Sequence, residues 1–203
     1  MKVEIYILHT LLIKENFPFV LSILDKERKE KAEKYLNEKD RLLSYGSGYL
    51  IKKYLPKGEI KEKENKKPYL ENGPYFNISH SGEFAVLAIC ESCDIGVDIE
   101  QVNEKKINAI KFTLNEDEKK INNVNDLFRM WSNKESLIKC MSSNLNDIRK
   151  LNGLPLEGYR SVNSEDYYTK SVIYEGYSLS VTLHTKADFE IVINRIDSLE
   201  EFN

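Results

Sequence analysis

Three carboxylates, an imidazole and a lysine, held in two separate stretches of this 203-residue sequence, are the residues best placed to do chemistry. The first stretch contains Phe76-Asn77-Ile78-Ser79-His80-Ser81-Gly82, then an apolar run, then Gly96-Val97-Asp98-Ile99-Glu100. The second is Trp131-Ser132-Asn133-Lys134-Glu135-Ser136-Leu137-Ile138-Lys139. Carboxylates brought close together resist ionisation unless something positive neutralises them. Mg²⁺ is a natural counterpart, because it takes hard oxygen ligands and keeps positions for water and substrate phosphates. Asp98, Glu100, Glu135, Lys139 and His80 together suit a metal-bound, phosphate-bearing ligand.

The elements that must position these residues follow from hydrophobic periodicity. Phe84 to Ile89 is wholly apolar and Ile95 to Ile99 alternates, so both read as strands, with Cys90 to Asp94 as the turn between them. Residues two apart on a strand share a face, so Asp98 and Glu100 project together while Val97 and Ile99 turn into a core. For that pair alone, a solvated strand end is the better reading. Asp126 to Met141 places Leu127, Met130, Trp131, Leu137, Ile138 and Met141 at helical spacing. Glu135 and Lys139 then lie one turn apart on one face. A surface ion pair is the ordinary alternative, but Trp131 sits one turn before Glu135. His80 follows the strand Phe76 to Ile78, flanked by Ser79, Ser81 and Gly82, and this hydroxyl-rich setting suits a phosphate. A lone His is more often structural; His9 and His184 lie outside any motif.

At these residues the sequence resembles a family. Phe76 to Gly82, Gly96 to Glu100 and Trp131 to Lys139 look like the three signature motifs of the Sfp-type 4′-phosphopantetheinyl transferases, in the same order and at similar intervals. The resemblance runs from about Asp25 to Lys139 and, more weakly, into the C-terminal strands. It implies transfer of 4′-phosphopantetheine from coenzyme A to a serine of an apo acyl or peptidyl carrier protein. Asp98, Glu100 and Glu135 would hold Mg²⁺, and Lys139 would donate to the same phosphates. Glu135, or a water held by Glu116 of the Phe112 to Glu116 element, would take the serine proton; for Glu116 an ordinary first-turn helix role weighs equally. The resemblance puts Arg28 and Lys31, in the basic segment Lys26 to Tyr35, on the coenzyme A phosphates. It places Ser44 near the nucleotide, Lys67 at the position of the coenzyme-binding lysine, and Ser79 and His80 at the 3′-phosphate. Departures are visible as well: Leu43 stands where a basic residue is common, Lys66 replaces a glycine, and Cys140 to Gly153 reads as an insertion beside the pantetheine channel.

The whole chain fits this frame. At 41% hydrophobic and 31% charged, it can build one sizeable core or two small lobes. The sequence pattern itself supports α+β: Met1 to Leu8, Tyr167 to Tyr174, Tyr177 to Leu183 and Phe189 to Ile193 read as strands, the last three closing one antiparallel sheet. Helices are expected over Phe17 to Leu24, Lys26 to Tyr35 capped by Asp25, from Asn37 or Asp40 to about Tyr54, and over Lys105 to Leu114 and Glu116 to Ile121, the second capped by Asn115. The resemblance implies two similar lobes, residues 1–101 and 102–203, related by a pseudo-two-fold axis with the site in the cleft between them. A formal charge of −3 gives no general basic surface, so no nucleic-acid partner is expected. No signal peptide or membrane span is apparent. Cys90, Cys93 and Cys140 fit a reducing compartment and lack a second pair for a structural zinc. A cytoplasmic monomer is expected, serving fatty-acid, polyketide or nonribosomal-peptide synthesis. Two rivals stand beside it: a metal-dependent hydrolase of a nucleotide or coenzyme A diphosphate, and a non-catalytic carrier-binding protein.

Overall fold

Strand alternation and small-residue helix faces build a layered α+β structure. The computed structural model describes residues 1–63 and 67–200. The chain opens with β1 (Lys2–His9), whose Val3, Ile5 and Ile7 are fully buried on one face. Four helices follow: α1 (Thr10–Glu15), α2 (Phe17–Ile23), α3 (Lys26–Glu33) and α4 (Glu38–Tyr54). Asp25 caps α3 by accepting from the Arg28 N–H, and Asn37 caps α4 by accepting from the Lys39 N–H. A hairpin of β2 (Ile60–Glu62) and β3 (Pro68–Leu70) leads to β4 (Tyr75–Ser81) and β5 (Phe84–Cys90). The chain then crosses to β6 (Ile95–Gln101), α5 (Ile107–Lys111) and the long α6 (Val124–Met141), and ends in β7 (Gly158–Val162), β8 (Glu165–Tyr174), β9 (Tyr177–Leu183) and β10 (Glu190–Ile196).

Two four-stranded sheets result, with strand orders β10-β1-β5-β4 and β6-β9-β8-β7. Their inner faces pack on each other through residues such as Ile5, Val86, Val97 and Val181. The outer face of the first sheet is covered by α1 to α4, with Ala85 and Leu87 against Ile13, Tyr45 and Tyr49. The outer face of the second carries α6. The expectation that the last strand closes the second sheet is corrected here. β10 pairs in parallel with β1, from Lys2 opposite Glu190 to Leu8 opposite Ile196. Both edges of β9 are already taken by β6 and β8, so the last strand has no edge beside its predecessor. The helix expected over Glu116 to Ile121 is only a 3-10 turn, Glu118–Lys120. Among the described residues no helix is long and apolar enough to cross a membrane.

Where the sheets meet, the edge strands β4 and β6 are joined by side chains. Asn77 Oδ1 accepts from the Val97 N–H at 2.9 Å, Ser79 Oγ from the Ile99 N–H at 3.3 Å, and Ser81 Oγ from the Gln101 N–H at 3.1 Å. Three polar side chains, two residues apart on β4, thus satisfy edge donors that would otherwise be buried without partners.

Candidate active site

The close seating of α6 on β6 begins with Gly96. A Cβ placed there would lie 1.9 Å from Ser136 O and 2.5 Å from Cys140 N, so the helix backbone rests directly on the strand. Small hydroxyls complete the contact: Ser132 Oγ is 2.6 Å from both Ser178 Oγ and Ser180 Oγ, and Ser136 Oγ is 2.8 Å from Thr182 Oγ1. This packing brings the Asp98 and Glu100 face of β6 to Glu135 and Lys139.

Lys139 stands at the centre. Its Nζ donates to Asp98 Oδ1 at 2.6 Å and to Ser79 Oγ at 3.1 Å, and lies 3.9 Å from Glu135 Oε2. Ser79 Oγ in turn donates to Asp98 Oδ1 at 3.0 Å, so this hydroxyl uses its one donor and both acceptor positions. Glu100 is paired with Lys106. Burial, then the Asp98 carboxylate, pushes the Glu135 pKa up to about 8 against the opposing pull of Lys139. Burial works against the charged form of Lys139, but Asp98 and then Glu135 outweigh it and hold the ammonium above its usual range. His80 sits within β4 with its side chain exposed at the pocket; partial desolvation of its ring, then the Lys139 ammonium, lowers its pKa.

These residues, with Ile78, line a pocket of about 270 Å³. It adjoins a larger cleft of about 1430 Å³, and Ile78 and Lys139 line both. Arg28, Lys31 and Lys67 line the larger cleft. Arg28 reaches it by lying across Gly48 of α4, where a Cβ would come within 2.8 Å of Arg28 Cγ. Lys31 is exposed, 3.9 Å from Glu62. Lys67 is buried at the cleft wall and donates to Ile95 O at 2.9 Å, with Cys140 O and Asp94 Oδ1 each at 3.4 Å. The departure at Lys66, like Asn65, lies outside the described residues.

Two expected residues are not brought to the site. Ser44 is buried in α4, one turn before Gly48, and lines neither pocket. Glu116 is 89% exposed, pairs with Lys119 at 2.5 Å and also lines neither. The buried acid of that loop is Glu118. Sequence reasoning also passed over Lys52, Lys53 and Lys57 in the cleft wall, and Lys106 on Glu100.

The donor set fits a hard cation in its chemistry. Asp98 is 2% exposed, and its Oδ2 is buried without a hydrogen-bond partner among the described residues. Among the described residues no three His, Cys, Asp or Glu side chains are gathered as a ready metal cage; Lys139 reaches in among the carboxylates instead.

Fold and site together define an α+β protein with an acidic, lysine-bridged pocket opening on a basic cleft. Comparison with known proteins narrows that class. Residues 94–182 match the family model described as the 4′-phosphopantetheinyl transferase superfamily, and residues 13–92 match that of the 4′-phosphopantetheinyl transferase N-terminal region. The chain is 33% identical over 144 residues to the 4′-phosphopantetheinyl transferase gsp of Aneurinibacillus migulanus, covering 64% of this chain and 60% of that protein. It is 26% identical over 175 residues to a 4′-phosphopantetheinyl transferase of Bacillus subtilis, covering 78% of this chain and 75% of that protein. Successive stretches of the chain, 13–92 and 94–182, thus each match a 4′-phosphopantetheinyl transferase model.

Proposed function

We propose that this protein transfers 4′-phosphopantetheine from coenzyme A to a serine hydroxyl of an apo acyl or peptidyl carrier protein, releasing 3′,5′-ADP. The observation that carries the reading is the convergence of Asp98, Glu100, Glu135 and Lys139, from two distant stretches, in a small pocket that opens on the basic cleft. In the reaction the carrier serine oxygen attacks the phosphorus bearing pantetheine. The bond from that phosphorus to the oxygen of the adenosine 5′-phosphate breaks, and the electron pair leaves with 3′,5′-ADP. Asp98, Glu100 and Glu135 would hold Mg²⁺, which when bound polarises the diphosphate oxygens. The orphaned Asp98 Oδ2 and the all-oxygen donor set support that assignment.

Lys139 supplies fixed positive charge where the departing phosphate becomes more negative, the kind of preorganised electrostatics that dominates phosphoryl transfer. Glu135, ionised once a cation offsets Asp98 beside it, accepts the serine proton. Glu116 faces solvent, so we assign the base to Glu135 alone. Arg28, Lys31, Lys67 and His80 take the nucleotide end, and Ser79 braces Asp98 and Lys139 at the join.

We read the architecture as two similar lobes about a pseudo-two-fold axis, with residues 101–102 as the division along the chain. What supports this is a shared pattern: β1, α4 and the β4–β5 hairpin have the sheet order β1-β5-β4, and β6, α6 and the β8–β9 hairpin have the order β6-β9-β8. A cytoplasmic monomer acting on a carrier protein, without nucleic acid or membrane, is the setting we propose. The hydrolase alternative gains no support from the relatives, which are named as transferases. Incubation with coenzyme A, Mg²⁺ and a panel of apo carriers tests the reading. A carrier mass increase of phosphopantetheine size is expected, while release of 3′,5′-ADP with no carrier modified would overturn it.

A further inference from the structure

One residue before Glu135, Lys134 turns into the protein and forms an ion pair with Glu118 in which both side chains are 0% exposed, Nζ to Oε2 2.6 Å. Lys134 Nζ also donates to Thr113 O at 3.1 Å. Glu118 is fully used: Oε2 accepts from the Asn115 N–H at 2.8 Å and Oε1 from the Gly153 N–H at 2.7 Å. The neighbouring Asn133 Nδ2 donates to Gly153 O at 3.0 Å and Leu156 O at 3.1 Å. Gly153 lies so close to α6 that a Cβ there would sit 2.4 Å from Met130 O. Arg160, itself buried, holds the same segment through Asn152 O at 2.8 Å and Pro155 O at 2.7 Å.

At 100° per residue, Asn133 and Lys134 stand on the opposite side of α6 from Glu135 and Lys139. The sheet-facing side of α6 is held by the Gly96 backbone contact and short hydroxyl contacts, and the charge pair holds the other side. A fully desolvated pair adds little stability over an apolar pair of the same volume, but it demands one geometry. We propose that Glu118 and Lys134 are positioning residues for the transfer reaction, a clamp that fixes the rotation of α6 about its axis and so the aim of Glu135 and Lys139. The same clamp sets the path of the segment after α6, whose Ser143 lines the large cleft. The inference rests on the transferase reading for the reacting atoms. A roll of about 10° moves a side-chain end by about 1 Å at the outer radius of a helix. A displacement of that size can cost about a hundredfold in rate.

The test is the double variant Glu118→Gln with Lys134→Met, which removes both charges at nearly constant volume, beside Glu118→Asp, which keeps the charge but shortens the reach. Melting temperature, coenzyme A affinity by calorimetry, exchange of the Gly153 amide and turnover on an apo carrier are measured for each. Expected are melting lowered by several degrees as buried N–H and C=O groups lose partners, near-wild-type coenzyme A affinity, faster Gly153 exchange, and turnover lowered about thirty- to a hundredfold well below the melting temperature. Wild-type turnover in the folded variants would overturn the clamp and reduce the pair to structural filling. Should the double variant not fold, Glu118→Asp alone decides by the same criteria. A wild-type protein that modifies no carrier would instead overturn the transferase reading, and the clamp's catalytic role with it, so the two failures are distinguishable.

Discussion

Replacing Gly96 with alanine adds one carbon at the tightest point between β6 and α6. That carbon would lie 1.9 Å from Ser136 O, where ordinary contact begins at 3.4 Å, so helix and strand must separate by about 1.5 Å. Both atoms it meets first, Ser136 O and Cys140 N, are backbone and cannot rotate away. The Lys139 to Asp98 contact, 2.6 Å in the wild type, would open by a comparable amount. Overpacking of this kind costs about 1–3 kcal/mol. For a chain of this size each kcal/mol lowers the melting temperature by about 2–4 °C. Misplacing Glu135 and Lys139 by about an ångström should lower turnover about a hundredfold, assayed well below the new melting temperature. Arg28 and Lys31 sit on α3, over the other sheet, and only Lys67 is held at the displaced contact, through Ile95 O and Cys140 O, so coenzyme A affinity should fall by about tenfold at most, about 1.4 kcal/mol. A variant that melts and turns over like the wild type would refute the packing argument. An equal loss of coenzyme A affinity would show that the damage is not confined to the helix–strand contact.

Other predictions follow from the same geometry. Asp98→Ala should abolish transfer while coenzyme A binding weakens only modestly; full activity at saturating Mg²⁺ would remove Asp98 from the metal site. Ser79→Ala leaves the Ile99 N–H without its acceptor and should cost about 1–3 kcal/mol in denaturant titration, with turnover falling as Lys139 and Asp98 lose their brace. Lys67→Ala and His80→Ala should weaken coenzyme A by about 1.5–3 kcal/mol each and 3′-dephospho-coenzyme A much less; equal losses for both ligands would show that neither residue reads the 3′-phosphate.

Local periodicity made much of the site legible. The two-residue spacing of Asp98 and Glu100 and the four-residue spacing of Glu135 and Lys139 each place a pair on one face without tertiary information. The interior of the Trp131 to Lys139 run was not legible in this way. Asn133 and Lys134 are residue types that ordinarily face water, and they are buried only because Glu118 and Gly153 arrive from elsewhere in the chain. The choice of Glu116 followed the Phe112 to Glu116 spacing. A different local rule decides that loop: Asn115 Oδ1 accepts from the Glu118 N–H while Glu118 Oε2 accepts from the Asn115 N–H, a reciprocal cap that fixes Glu118 as the inward acid. Asn115 was read as a cap, but its partner three residues on was not. β10 was legible as a strand, but its partner was not, because pairing with β1 joins the two ends of the chain and depends on which edges are free.

The join between β4 and β6 shows most directly why a polar pattern misleads. Asn77, Ser79 and Ser81 alternate with Phe76, Ile78 and His80, a pattern that reads as one solvent face and suggests hydroxyls open to a phosphate. All three are 8% exposed or less, because the face they share meets the edge of another strand rather than water. Their side chains accept the N–H groups of Val97, Ile99 and Gln101, and this sets the register of Asp98 and Glu100 against β4. Ser79 is the one member of that ladder that also touches Asp98 and Lys139. A hydroxyl committed to three partners, its one donor and both acceptor positions, has little capacity left for a ligand, which moves its role from contacting the nucleotide to holding the carboxylate and the ammonium in place. The pocket therefore lies at the seam for a physical reason: two sheet edges are closed by side chains there, and only there can an acid from one sheet be braced by a hydroxyl from the other.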